Sequence, residues 1–307
     1  MVWHMLDVQT GWIRFSLEPQ APFRAPAFDG SMLRGGFGHA LRRLVCVMRQ
    51  RDCAGCPLES GCMYVRLFET RSDWAAEGRY RRAPHPFVLR GNLRDRRGEP
   101  VERIDFRMTL FGAALADAPF VARAVEEAAA RGFGPDRTRF ALREIAVAGQ
   151  AARTPEQGYP LPAPAEDPPP LPERVRMVFV TPVRLTRQGR PVDAGTLDGP
   201  TLGRAILRRV GLMATFHGQG ADALDFAALS AEADAVRIVD RNLRWRKLVR
   251  RSARQKARQA IGGIVGEVSV DFADAPGIGE LARWLPAMHL GKGTSMGLGQ
   301  VEIVPDA

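Results

Sequence analysis

A histidine flanked by arginines is the first group in this sequence that could move a proton beside a phosphate. It lies in Leu33-Arg-Gly-Gly-Phe-Gly-His-Ala-Leu-Arg-Arg43. At 100° per residue Leu33, Phe37, Leu41, Leu44, Val45 and Met48 fall in one apolar stripe, with His39, Arg42 and Arg43 opposite and Gly35 beside them. Arginines there favour the neutral imidazole, the form a general base needs. They would also stabilise the charge that develops on a phosphorane-like transition state. An ordinary exposed helical histidine would look the same, so both readings stand at this point.

A second stretch could bind phosphate. Glycines at 291, 293, 297 and 299 punctuate His289-Leu-Gly-Lys-Gly-Thr-Ser-Met-Gly-Leu-Gly299. With few side chains in the way, the backbone of Gly291, Lys292, Gly293, Thr294, Ser295, Gly297 and Gly299 can approach a ligand, and consecutive N–H groups suit an anion. The stretch is not a P-loop, because Gly293 follows Lys292 where Ser or Thr would be required. A tight turn before a last strand is the plainer reading.

A third group is soft. All the cysteines, Cys46, Cys53, Cys56 and Cys62, fall in one short segment. Without a secretion signal such a cluster reads as a metal site rather than disulfides. Cys53 and Cys56 have zinc-knuckle spacing, and Cys46 and Cys62 could complete a tetrahedral Cys₄ set. Structural zinc is favoured over an iron–sulfur cluster. The alternative is that Cys46 is a small core residue on an apolar helix.

Charge points to the partner. The chain of 307 residues has a formal net charge of +10 and 25% charged residues. Nine arginines and lysines and no acid lie between Asp240 and Glu267, with Trp245 among them. Arg244, Arg250, Arg251 and Arg254 are therefore candidate phosphate contacts, and an aromatic in such a run can stack on a base. A solvated charged hairpin is the bland alternative. No apolar run is long enough for a membrane span and no signal-peptide pattern opens the sequence, so the expected compartment is the cytoplasm, with no membrane partner.

The elements that must position these groups fall into two halves with one order. Residues 8–17 read as a strand, and a helix capped by Ser31 runs to about Arg49. The cysteine-rich insertion follows, then strands at 86–90 and 102–112, a helix from Pro119 to Gly132, and a strand at 138–148. Eight prolines between Ala151 and Pro172 mark a linker. The order then returns: strand 174–186, helix 201–216, strands 235–247 and 261–272, a short helix 278–285, and strand 299–304. The expected fold is α+β: two tandem ferredoxin-like, RRM-like βαββαβ domains at 1–150 and 173–307, joined by a linker at 151–172.

Several of these segments together resemble one family. They are Leu33 through Arg42, Cys53-Ala-Gly-Cys-Pro-Leu58 with Cys62-Met-Tyr64, and Pro84-His-Pro-Phe-Val-Leu89. In the second half they are Ser252-Ala-Arg-Gln255, Ile261-Gly-Gly-Ile-Val-Gly266 and the glycine loop. The chain is similar over nearly its whole length to the CRISPR-associated endoribonucleases of the RAMP superfamily that process pre-crRNA. The resemblance implies two ferredoxin-like domains, RNA held across the cleft between them, and metal-independent cleavage within each CRISPR repeat. It implies attack by the ribose 2′-hydroxyl, giving a 2′,3′-cyclic phosphate and a 5′-hydroxyl end. On it rest the role of His39 as general acid or base, with His289 in reserve, and the RNA-binding assignments of Arg34, Ser252 and Gln255. Arg251 and Met296 stand where relatives often carry aromatics. His85, between two prolines, reads as structural. Two other classes remain in view: a non-catalytic RAMP subunit binding crRNA in a CRISPR effector complex, and a zinc-dependent DNA-binding regulator.

Overall fold

The computed structural model describes residues 6–49, 52–70, 83–93, 96–218, 224–252 and 257–306. These fall into two units. The first comprises Val8–Ala165 with Thr215–Gly218, and the second Met1–Asp7, Glu166–Ala214 and Gln219–Ala307.

The first unit is built on β1 (Thr10–Pro19), α1 (Asp29–Val45), a short α2 (Met63–Phe68), β2 (Phe87–Gly91), β3 (Ile104–Phe111), α3 (Ala118–Arg131) and β4 (Phe140–Val147). Its antiparallel sheet has the order β2-β3-β1-β4, the ferredoxin-like arrangement. Alternation explains the sheet: Ile13, Phe15 and Leu17 of β1 and Ile104, Phe106, Met108 and Leu110 of β3 point into the core. Against that face pack Leu33, Phe37 and Leu41 of α1, each burial worth about 1.5–3 kcal/mol. Pro119 opens α3, and Gly132, at φ +91°, closes it by donating to Ala128 O and Ala129 O.

The second unit repeats the plan with β5 (Arg174–Val183), α4 (Gly199–His217), β8 (Arg237–Arg246), β11 (Gly263–Asp271), α6 (Pro276–Ala282), α7 (Leu285–Met288) and β12 (Val301–Pro305). The sheet order β12-β5-β11-β8 matches the first read from its other edge, β4-β1-β3-β2. Additions include a small β6–β7 hairpin (Thr186–Arg187 with Arg190–Pro191), α5 (Phe226–Ala235), and β9 (Val249–Ser252) paired with β10 (Ala257–Ala260).

Several boundaries differ from the sequence reading. Helix α1 begins at Asp29 rather than Ser31, with no side-chain cap, and ends at Val45, leaving Leu44 and Met48 exposed instead of in the stripe. The buried Asp29 carboxylate accepts from Leu93 N at 3.1 Å and tethers the start of α1 to the β2–β3 connection. A side chain at Gly91 would fall on that carboxylate. Helix α5 was not expected; Asp225 caps it by accepting from Ala227 N and Ala228 N. The proline-rich stretch is irregular but tied down: Ala165 N donates to Thr10 O, and Ile145 and Arg153 exchange backbone bonds at 2.8 Å. Among the described residues no helix is long and apolar enough to cross a membrane.

Candidate nucleic-acid interface and catalytic helix

Helix α1 shows why its sequence is rich in glycine. A side chain at Gly36 would strike the Phe133 ring, and one at Gly38 would meet Phe68 at 2.8 Å, so both are needed for close packing. Gly35 has nothing within 4 Å of where a Cβ would stand. One turn further on, His39 is exposed. The result is an exposed imidazole with bare helix surface beside it.

The two arginines that follow are held apart. Arg42 lies 5.5 Å over the Tyr64 ring and is half-buried on the cysteine side. Burial there would lower its pKa, but Cys53, Tyr64 and Cys46 outweigh that and raise it. Arg43 is exposed on the α3 side; its pKa is lowered by burial first and then by Arg131, against the pull of Glu127. His39 sits between them on the helix surface. Arg34 is otherwise engaged: it packs 5.0 Å over Phe68 and donates to His85 Nε2 at 3.2 Å. His85 in turn stacks on Phe87 at 5.9 Å. These contacts hold the half-buried Arg34 guanidinium against α2.

The cysteine segment wraps the Arg42 side of this helix. Cys56 N donates to Cys53 O at 3.1 Å in a turn, and Gly55 N to Glu59 Oε2 at 3.2 Å. All four thiols are free and half-buried, so Cys46 is not a core residue. Burial raises the Cys53 pKa and Arg42 opposes it. The thiols suit zinc chemically. As placed, however, no three His, Cys, Asp or Glu among the described residues stand together as a ligand set. The segment is anchored by the buried Asp117, which accepts two bonds from Arg66 of α2 at 2.9 and 2.7 Å.

In the second unit the glycine loop is built differently from expectation. Leu290 N donates to Gly299 O, Lys292 N to Arg184 O, Gly297 N to Thr294 O, Leu298 N to Gly293 O and Gly299 N to Pro182 O. Thr181 Oγ1 donates to Gly297 O and accepts from Gln300 N. Thr294, Ser295, Gly297 and Gly299 are buried. The glycines serve the loop's own folding. Gly291, Gly293, Gly297 and Gly299 all have positive φ, and a side chain at Gly299 would overlap the Leu290 carbonyl. What remains outward is the edge Gly291-Lys292-Gly293, with Lys292 exposed. His289, the reserve catalytic histidine, is 1% exposed, at φ +57°, with Nδ1 3.2 Å from Leu298 O. It fixes the loop stem and cannot reach a substrate from there.

The basic run forms the β8–β11 edge and its β9–β10 extension. Arg244 and Lys247 are exposed and Trp245 is 41% exposed. Arg241 is committed to Leu197 O at 2.8 Å. The backbone of Arg250, Arg251 and Ser252 lies in β9, with Ser252 opposite Ala257 and Arg251 opposite Arg258. Arg254 and Gln255 fall outside the described residues. Tyr64 and Arg209 were missed in the sequence. Arg209 could have been noticed, because it stands on the same α4 stripe as the buried Ile206, Val210 and Met213.

Residues 177–301 match the family model of the CRISPR-associated endoribonuclease Cas6, and residues 8–159 match AF_1859_N, described as an N-terminal domain. No curated protein matches in sequence. The fold is similar to a solved Cas6 (TTHB231) product complex at a TM-score of 0.60 and 16% identity, covering 96% of this chain and 100% of that one. The same protein, from Thermus thermophilus, solved separately, gives 0.56 at 17% identity, covering 97% and 99%. A Cas6 (TTHA0078) product complex gives 0.53 at 17%, covering 97% and 99%.

Proposed function

We propose that this chain is a CRISPR-associated endoribonuclease of the Cas6 type, matched by that family model over residues 177–301, and that it cuts CRISPR repeat RNA without metal, through acid–base chemistry centred on His39. The observation that carries the mechanism is the exposed His39 on α1, with bare Gly35 one turn before it and Arg42 and Arg43 to either side. In the reaction His39 takes the proton of the ribose 2′-hydroxyl or gives one to the leaving oxygen. The 2′-oxygen bonds to the adjacent phosphorus as the bond to the 5′-oxygen breaks, leaving a 2′,3′-cyclic phosphate and a 5′-hydroxyl. Arg42, restrained by Tyr64, supplies positive charge where negative charge develops on the phosphorane oxygens. The basic hairpin and the Gly291–Gly293 edge neutralise flanking phosphates.

The test is cleavage of the cognate repeat RNA in EDTA, with a matched RNA carrying one 2′-deoxy nucleotide at the cut. Wild type is expected to cut the first once and leave the second intact, because the deoxy sugar has no nucleophile. Tight binding with no cutting would make the chain an RNA-holding subunit of an effector assembly instead.

A structural zinc on Cys46, Cys53, Cys56 and Cys62 is part of this proposal, supported by the donor set and not by the present placement of the sulfurs. No step of the reaction runs through it. Bound zinc by elemental analysis, with cleavage unaffected by EDTA, is the expected result; thiols that all alkylate readily in metal-free protein would remove it.

A further inference from the structure

Arg209 is the most unusual charge in the second unit. It lies on α4 at 8% exposure. Its guanidinium donates from Nε to Met288 O at 3.0 Å and His289 O at 3.2 Å, and from Nη2 to Met288 O at 2.6 Å. Among the described residues no carboxylate lies within ion-pair distance of it. Burial alone lowers its pKa, to about 10, so it remains a cation at neutral pH.

A buried cation without an acidic partner costs several kcal/mol of desolvation, on the order found for other buried ions. Three hydrogen bonds to carbonyls at the end of α7 offset part of that cost. An apolar side chain on this stripe would satisfy packing without it. The two carbonyls Arg209 grips are the stem of the glycine loop: His289 is followed by Leu290, whose N–H closes the loop on Gly299 O, and then by the Gly291-Lys292-Gly293 edge, on which Lys292 is exposed and the glycines half-buried. A buried charge at that stem acts through a poorly screened interior rather than through water.

We propose that Arg209 is a positioning residue for substrate binding, which holds the loop stem and supplies from it positive charge that draws an RNA phosphate to the Gly291–Gly293 edge. This inference rests on the repeat-RNA reading above. It makes Arg209 a determinant of affinity and not of the chemical step.

The experiment compares wild type, Arg209→Gln, which keeps a donor without charge, and Arg209→Lys, which keeps charge with a poorer grip. Binding of the 2′-deoxy repeat RNA and steady-state cleavage of the ribose form are measured, with thermal melts alongside. Arg209→Gln is expected to raise KM about tenfold with kcat unchanged, a loss of uniform binding, and Arg209→Lys to recover most of it. A folded Arg209→Gln with wild-type KM overturns the inference, as does equal loss in both variants. If the glutamine variant does not fold, Arg209→Lys is compared with Lys292→Ala; a smaller loss in the lysine variant supports the inference, and an equal or larger one overturns it. Wild-type protein that fails to bind repeat RNA at all overturns the underlying reading, and is seen in the same titration.

Discussion

The two units share one sheet order and spend their freedom in different places. The first elaborates the exit of its first helix, where the cysteine segment and α2 gather around Arg42. On the proposed reading, its outward chemistry is carried by side chains on a helix, His39 above all. The second leaves its first helix plain and elaborates several connections, among them the paired β9 and β10 and the glycine loop. Its outward chemistry is charge and backbone. A ferredoxin-like frame tolerates additions at several connections, so one duplicated plan can be divided, as proposed here, between a reacting helix and a holding surface.

The sharpest way to break this division is to replace the reacting group. His39→Ala should slow cleavage about 10²–10⁴-fold, the range of a lost general acid or base, while RNA affinity and thermal stability stay at wild type. Single-turnover rates with a parallel binding titration decide it. A mutant that cuts as fast as wild type moves the chemistry off α1 and ends the contrast between the units.

Glycines offer the next test, because the two units use them oppositely. Gly299→Ala places a methyl on the Leu290 carbonyl at a residue with φ +72°. It should cost about 2–3 kcal/mol by strain alone. Gly35→Ala meets empty space in mid-helix and should stabilise α1 by about 0.5–1 kcal/mol. Yet the new methyl stands beside His39 and should slow cleavage severalfold. Denaturant melts and cleavage rates on the same preparations separate the effects. A stabilised Gly35→Ala protein with unchanged activity would show that the bare patch is not used by substrate.

The holding surface should fail by degrees. Replacing Arg250, Arg251 and Arg254 with alanine should weaken RNA binding on the order of tenfold and lower the salt slope by about 0.7 for each phosphate no longer neutralised. Cleavage at saturating RNA should persist. Affinity measured from low to moderate salt provides the check, and an unchanged slope would return the run to a solvated surface.

What the sequence disclosed and hid follows from how local each cause is. The βαββαβ order is legible because alternation in β3 and the Pro119–Gly132 frame of α3 are properties of adjacent residues. The start of α1 is not, since Asp29 is fixed by Leu93 N, sixty-four positions away. Helix α5 escaped notice because Phe-Ala-Ala-Leu-Ser-Ala-Glu-Ala-Asp-Ala lacks a marked apolar stripe and runs straight into β8. His39, exposed on α1, needed only the helical period. The glycine loop is ambiguous for a physical reason. A glycine required because a ligand comes close and one required because Leu290 O comes close read identically in one dimension. Burial separates them, and with them His289, whose position beside the loop suggested access that its 1% exposure denies.

The smallest expected effect concerns acid, where two carboxylates of the two units respond with opposite sign. Burial raises the Asp29 carboxyl above its ordinary 3.8 against the hydrogen bonds from Leu93 and its neighbours, so the folded first unit binds that proton more tightly than the unfolded chain. Its contribution is fully present below 3.8 and is lost as pH rises through the raised value. Asp271 is lowered, first by the Ala273 N–H and then by Arg174 and Arg237. Its contribution is present above 3.8 and is lost as pH falls through the lowered value. Thermal melts of Asp29→Asn and Asp271→Asn between pH 6 and pH 3 should therefore diverge from wild type in opposite senses. On acidification Asp29→Asn should miss a gain that wild type makes, and Asp271→Asn a loss that wild type suffers. Parallel curves would mean that the two carboxylates feel the same surroundings, and that the contrast between the units does not extend to their buried charge.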